Sequence, residues 1–402
     1  MPWKVKDAMD QRIEFVARAL GRETDLSSLC REFGISRPTG YHWLNRYQEA
    51  GSLSGLQEQS RRPRRSPNKT SARHEELVVQ IRRDTAWGGK KIQHVLARDQ
   101  GIALTVATVN RIIKRNGLLE RQERHRPALE RFEREAPNEL WQMDFKGPYP
   151  LERGKCYPFS ILDDHSRYVV GLFALASIEG VQVERRLREV FEQYGVPDSM
   201  LMDHGTPWWS TTNGHGLTQV AVKLIKQGIQ LRYSGIGHPQ TQGKVERFHR
   251  TLGKAMELEE PAGSIAGWQK QMERFRHQYN HVRPHEAIEM RVPADLYQPS
   301  LRHYHPNPPE WEYPPGAVVK RLSGDGIVYY GLREYFVCEA LADEYVSLRQ
   351  LDDRVLVTYR HMHIRELDTA TGKTVPILKP AVESSGAVKE RKKAPKKERK
   401  KA

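Results

Sequence analysis

The sequence predicts a multidomain chain: all-α regions at the N-terminus, a central α/β domain and a small β-barrel toward the C-terminus. Three observations predict it. Helix-period apolar stripes broken by glycine turns run through residues 1–58 and 70–120. Residues 136–300 alternate strand-like and helix-like stretches, and residues 314–368 alternate apolar and polar positions in short runs. A basic, proline-broken linker occupies 59–69. Residues 380–402, ending KERKKAPKKERKKA, are poor in apolar side chains and predict a disordered basic tail. The 402 residues suit two to four domains at roughly 100–200 residues each.

Lys and Arg number 65 against 50 Asp and Glu, a net charge of +15. That excess favours a polyanionic partner, either nucleic acid or an anionic membrane. The longest uncharged apolar stretch, Tyr168 to Ile178, falls short of the roughly 18–20 residues a bilayer span needs. The start, MPWKVKDAMDQR, lacks the apolar segment of a secretory signal. Cys30, Cys156 and Cys338 lie too far apart for a disulfide framework or a four-ligand zinc site. They read as small core residues in a reducing, intracellular setting.

The first helical region carries a helix-turn-helix pattern. Asp25 can cap a helix whose apolar face holds Leu26, Leu29 and Phe33. Gly34 permits the positive φ at its end, and Ile35 packs behind it. Ser36 caps the next helix, with Pro38 in the first turn. That helix exposes Arg37, Thr39, His42 and Arg46, while Tyr41, Trp43 or Leu44 can face the core. Such a polar-fronted second helix suits the major groove of DNA; a plain helical hairpin is the alternative. Arg61, Arg62, Arg64 and Arg65 of the linker form an arm suited to a minor groove or to phosphates. The second region reads as helices over Glu75–Arg83, Lys90–Arg98 and Val106–Arg115. It is either a second DNA-binding bundle or a packing spacer.

The chemistry sits in the middle. In Trp141-Gln142-Met143-Asp144-Phe145, strand alternation puts Trp141, Met143 and Phe145 on one face and Asp144 on the other. An acid inside an apolar strand is expensive unless paired or metal-bound. Strands over Pro158–Asp163 and Tyr168–Leu175 form a hairpin through Asp164-His165-Ser166-Arg167, and a helix follows. A short strand, Ser199–Met202, then ends at Asp203. After a turn, Val245, Phe248 and Leu252 make a helical apolar face with Glu246 at its edge and His249 and Arg250 nearby.

These residues resemble the catalytic core of insertion-sequence transposases related to retroviral integrases, the Asp-Asp-Glu class. The matching stretches are WQMDF, ILDDHSRY, LMDHG, HPQTQGKVERFHRTL and YNHVRPHEA, in the family's order across 136–300. The resemblance implies a ribonuclease H-like integrase core, with paired helix-turn-helix regions before it and a small β-barrel after it. It implies that Asp144, Asp203 and Glu246 are catalytic and hold two Mg²⁺ (or Mn²⁺) ions. Two ions about 3.5–4 Å apart activate the nucleophile and stabilise the leaving oxygen. All-oxygen ligands suit Mg²⁺ or Mn²⁺ rather than zinc. The implied reaction is cleavage at the element's ends to free a 3′-hydroxyl, which then attacks target DNA. Lys244, Arg247, His249 and Arg250 become candidate DNA contacts; a solvated helix face is the plain alternative. The implied partners are element ends, target DNA and further copies of the chain in a synaptic complex, with no membrane. The implied location is the cytoplasm, with the nucleoid.

Two features depart from the family. His204-Gly205 stands where relatives carry Asn-Gly, and extra length around Thr206–Leu217 widens the gap from Asp203 to Glu246. Asp163 and Asp164 read as turn residues. His277, His281 and His285 lack a placed carboxylate partner; Asn280, Arg283 and His285 read as ordering a loop or touching DNA. On the barrel, Lys320, Arg321, Arg333, Arg349, Arg354 and Arg360 face either DNA or protein. A catalytically silent DNA-binding regulator and a nuclease that cuts without joining are the competing functions.

Overall fold

A computed structural model describes residues 7–21, 24–58, 69–119, 133–211, 216–234 and 243–377. The linker arginines 61, 62, 64 and 65, the HPQTQ stretch and the basic tail therefore lie outside the described residues. The chain divides into two compact units, Met1–Thr70 and Ser71–Ala402.

In the first unit, α1 (Ala8–Leu20), α2 (Leu26–Glu32) and α3 (Arg37–Ala50) surround Phe15, Val16, Leu29, Cys30 and Leu56. The caps are those the sequence implies. Asp25 accepts from the Ser27 and Ser28 amides at 2.8 and 3.2 Å, and Ser36 from the Thr39 amide at 3.3 Å. Gly34 takes φ 62° between α2 and α3.

The second unit begins with α4 (Ala72–Thr85), α5 (Gly89–Gln100) and α6 (Val106–Arg115), packed around Val78, Trp87, Ile92, Leu96, Val109, Ile112 and Ile113. Val282, just past the last core helix, joins this cluster, and Lys90 and Lys91 reach Glu286 at 3.2 and 3.4 Å. So this bundle is seated on the α/β domain.

The α/β domain comprises β1 (Trp141–Phe145), β2 (Tyr149–Pro150), β3 (Lys155–Asp163), β4 (Val169–Leu175), α7 (Gly180–Tyr194), β5 (Ser199–Met202), β6 (Trp209–Ser210), β7 (Gly216–Leu217), α8 (Gln219–Lys226), β8 (Gln230–Tyr233), α9 (Gly243–Met256) and α10 (Ile265–His281). Its main sheet runs β4-β3-β1-β5-β8, with β2 on the start of β3. The β1–β3 and β3–β4 pairs are antiparallel; β1–β5 and β5–β8 are parallel. Strand alternation splits the core. Trp141, Met143, Phe159 and Ile161 pack with α7 and α8, whereas Leu162, Val169 and Leu172 pack with Phe248, Leu252 and the apolar face of α10. Helices therefore cover both faces of this sheet, the α/β layering expected of the central region.

The C-terminal part differs from the expected barrel. The strands β9 (Val318–Arg321), β12 (Tyr345–Leu351), β13 (Arg354–Tyr359), β14 (Met362–Asp368) and β15 (Thr374–Pro376) form an antiparallel sheet ordered β15-β14-β13-β12-β9. Two further strands, β10 (Ile327–Tyr330) and β11 (Arg333–Phe336), pair as a separate hairpin. Among the described residues, β9 and β15 do not pair, so the sheet is open. Its inner residues, such as Val346, Val355 and Val357, belong to the same apolar cluster as α8 and β8. The α/β domain thus covers a face that barrel closure would otherwise have to bury. Arg360 donates to the Lys226 and Pro309 carbonyls, both at 3.1 Å, Arg333 donates to the Thr369 and Ala370 carbonyls, and Arg354 pairs with Glu366. These arginines serve the fold. Among the described residues no helix is long and apolar enough to cross a membrane, and all three cysteines are buried and unpaired.

Candidate active site

Asp144 stands on β1 facing α9, the side opposite the buried Trp141 and Met143. The Phe145 amide donates to its Oδ1 at 2.8 Å. Its carboxyl is raised to about 7, first by burial, then by the negative charge of Asp203, with a further push from Glu246. Three acids from β1, from the end of β5 and from α9 therefore share one electrostatic neighbourhood. Asp203 follows β5 at the carboxyl ends of the parallel strands, and the Gly205 amide donates to its Oδ1 at 3.0 Å. Glu246 is exposed in the first turn of α9. Among the described residues, no three His, Cys, Asp or Glu side chains converge into a metal-holding group. The acids are neighbours in charge without being drawn into a cage.

The His204 departure has a structural reason. Its ring packs 5.2 Å from Trp209 and 5.0 Å from Tyr233, and its Nδ1 meets the Ser234 carbonyl at 3.0 Å. The side chain is part of the wall behind Asp203. The extra loop contributes Trp208 and Trp209, both buried, with Trp208 stacked 5.8 Å from Phe145.

The candidate DNA contacts divide. Arg247 and Arg250 are exposed on α9. His249 is buried: its Nε2 meets Ser160 Oγ at 2.5 Å, and the Ser160 hydroxyl donates to the Asp144 carbonyl at 3.1 Å. Lys244 is drawn inward to Asp164 Oδ2 at 2.6 Å. Both placements have one cause: helical spacing places positions 244 and 249 on the flanks of the Val245–Phe248 apolar stripe, which lies on the sheet. On α3, Arg37 and His42 are exposed. Thr39 is used by the Ser36 cap, and Arg46 donates to the Gln57 carbonyl at 2.8 Å while lying 4.8 Å from the Trp43 ring centre. Tyr41, which helical spacing allows to face the core, is exposed on the same helix, and so is Asn45.

Asp163 accepts from the Ser166 amide, the Ser166 hydroxyl and the Asn138 amide, at 2.7, 2.6 and 2.8 Å, as a turn residue should. Asn280 pairs with the Val169 backbone through both ends of its amide, 2.9 and 3.0 Å, and so docks α10 on β4. His285 is buried with its Nε2 at the Tyr279 carbonyl, and burial and Arg283 push its pKa down to about 2. These residues of YNHVRPHEA order the end of α10.

Comparison with known proteins agrees with this architecture. Residues 134–239 and 227–293 match Integrase core domain families, residues 11–64 a Helix-turn-helix domain and residues 39–113 a Homeodomain-like domain. The transposase for transposon Tn552 of Staphylococcus aureus is 25% identical over 382 residues, spanning 82% of this chain and 76% of that protein. A protein of insertion element IS407 from Burkholderia multivorans is 25% identical over 236 residues, 54% of this chain and 78% of that one. The HTLV-2 integrase catalytic core, solved with magnesium, aligns at 14% identity and a TM-score of 0.32 over 40% of this chain and 97% of its own. The chain carries helix-turn-helix domains ahead of an integrase core, and in this it is similar to the transposases of mobile elements in the integrase-like Asp-Asp-Glu class.

Proposed function

We propose that this protein is a transposase that binds the terminal inverted repeats of its mobile element, cleaves there and joins the freed ends to target DNA, with Asp144, Asp203 and Glu246 as its catalytic carboxylates. The observation that carries the reading is the placement of the acids: Asp144 on β1, Asp203 directly after its parallel neighbour β5, and Glu246 in the first turn of α9, whose Val245 amide is held by Gln142 of β1. Like charges gathered in a half-buried site are stable together when a cation joins them. The oxygen-only donor set fits Mg²⁺ or Mn²⁺, and the three acids would hold two such ions. Divalent ions there supply positive charge to the scissile phosphate and sharpen the attacking oxygen.

The chain's own residues do the rest. The Phe145 and Gly205 amides fix one oxygen each of Asp144 and Asp203. Burial keeps bulk water from screening the Asp144 carboxylate. Arg247 and Arg250, exposed beside Glu246, suit the DNA backbone. On the first unit, the exposed face of α3 with Arg37 and His42 suits a groove, and the linker arginines the flanking phosphates. Two element ends must be held together, so the working form is a multimer.

A strand-transfer assay tests this, using labelled duplexes copied from the DNA flanking the gene, Mg²⁺ and a plasmid target. Joined products are expected. Nicks without joining would make the protein a nuclease, and bound but unchanged duplex would make it a regulator.

A further inference from the structure

The start of α9 is tied to the sheet by a buried polar bridge that the proposed chemistry does not itself use. Gln142 lies two residues before Asp144, on the same face of β1, and is fully buried. Its amide works at both ends. Nε2 donates to Asp164 Oδ1 at 2.7 Å, and Oε1 accepts from the Val245 amide at 3.3 Å. Asp164, at the head of the β3–β4 turn, is also fully buried. Its Oδ2 accepts from the Arg134 amide at 2.9 Å and from Lys244 Nζ at 2.6 Å, and Lys244 also reaches the Asp164 carbonyl at 3.1 Å. The two residues that precede Glu246 are therefore both anchored, one by side chain and one by backbone.

The first amides of a helix have no acceptor within it. Here an acceptor for the Val245 amide comes from the strand that carries Asp144. The apolar stripe of α9 would hold the helix on the sheet without this bridge, but apolar packing alone leaves axial and rotational freedom at the first turn. A buried ion pair adds little stability over apolar residues of the same size. Its distinct contribution is a defined distance. We infer that Gln142, Asp164 and Lys244 are positioning residues that set Glu246 against Asp144. The inference rests on the proposed catalytic role of those two acids.

The test uses the full-length chain and four variants: Lys244→Met, Lys244→Arg, Gln142→Leu and Asp144→Asn. Nicking of supercoiled plasmid in Mn²⁺ gives the rate at saturating DNA. A fluorescent duplex without metal gives DNA affinity, and the electron paramagnetic signal of free Mn²⁺ gives ion affinity. Lys244→Met should lower nicking about 10–100-fold and weaken Mn²⁺ binding, as loss of a supporting partner does at other metal sites. Duplex affinity should hold, and Lys244→Arg should recover most of the rate. Gln142→Leu should reproduce the Lys244→Met pattern, so misfolding of one variant leaves the other to decide. Wild-type rate and Mn²⁺ affinity in a folded Lys244→Met or Gln142→Leu would overturn the inference. So would a loss of duplex affinity that accounts for the lost rate, since Lys244 would then be a DNA contact. A dead Asp144→Asn beside a fully active Lys244→Met overturns the positioning role alone; a normally active Asp144→Asn overturns the catalytic reading and this inference with it.

Discussion

The His249 ring places Nδ1 3.6 Å from Asp144 Oδ2 while its Nε2 meets Ser160 Oγ at 2.5 Å. Ser160 Oγ also lies 3.1 Å from the Asp144 carbonyl, so the ring and this hydroxyl together link α9 to β3 and β1. Burial, with Lys146 nearby, pushes its pKa down to about 4. The buried ring packs between α9 and β1, whereas Arg247 and Arg250 of the same helix are exposed.

That assignment separates two neighbours on one helix. Removing one phosphate-binding side chain should flatten the dependence of log affinity on log salt by about 1. Arg250→Gln, at an exposed position, should show that change with the fold intact. His249→Leu should leave the salt slope unchanged and instead lower stability by about 1–3 kcal/mol, because Ser160 loses its buried partner. Duplex titrations across a salt series, with melting curves beside them, read both. A flattened slope in His249→Leu would restore it as a DNA contact.

The raised carboxyl of Asp144 makes a prediction with a definite sign. Its folded pKa, about 7, exceeds its ordinary value of 3.8, so the folded chain holds a proton that the unfolded chain releases between those values. The stability linked to that proton is present below pH 3.8 and is lost as pH rises through 7. Asp144→Asn keeps the shape without the charge. It should melt higher than wild type in metal-free buffer above about pH 7, and the gap should close toward about pH 4. The same variant should lose cleavage and joining while keeping duplex affinity. An equal melting difference at every pH would show that ionisation is not its cause.

Much of this was legible in sequence because local physics decides it. Asp25, Ser36, Thr105 and Gly34 announce their caps and turns wherever they stand. The alternation in Trp141–Phe145 sorts core from site without tertiary knowledge, and helical spacing put Glu246 at the border of an apolar face. The direction of a long side chain at such a border was not legible. Lys244 and His249 turn inward because Asp164 and Ser160, far away in sequence, wait for them. Gln142 could have been noticed, since a polar residue in an apolar strand shares the face of Asp144. The open C-terminal sheet was invisible for a similar reason. Alternation in Val346, Val355 and Val357 says that one face is buried, not whether its cover is the sheet curled on itself or another domain.

Gly40 shows a constraint of packing rather than of backbone angle. A Cβ there would lie 2.6 Å from Cys30 Sγ and 2.9 Å from Phe15 Cζ, at the heart of the first unit. Gly51 takes φ 61° at the end of α3, and a Cβ would meet nothing within 4 Å. Gly40→Ala should cost about 1–3 kcal/mol by overpacking, and Gly51→Ala about 1 kcal/mol by backbone strain. Hydrogen exchange at the α1–α3 amides measures each. If Gly40→Ala leaves exchange there as slow as in wild type, Cys30 and Phe15 have room to give.

Truncations test the division of labour, and their boundary matters. Deleting residues 1–70 removes one compact unit. Mn²⁺-dependent plasmid nicking should survive, while preference for the element's own ends over random duplex should fall. Deleting residues 1–120 also removes α4–α6, whose cluster takes in Val282. The Lys90–Glu286 and Lys91–Glu286 pairs where this bundle meets the α/β domain are partly exposed, Glu286 at 42%, and are worth at most about 1 kcal/mol. Apolar burial must carry the docking. Glu286→Gln should therefore barely move the melting temperature of the full chain, whereas Val282→Asp should lower it clearly, because it forces a carboxylate into an apolar cluster. The longer truncation should melt lower than the shorter one and nick more slowly. If the two truncated chains are equally stable and active, α4–α6 are not a support for the catalytic domain, and their role lies wholly in DNA binding.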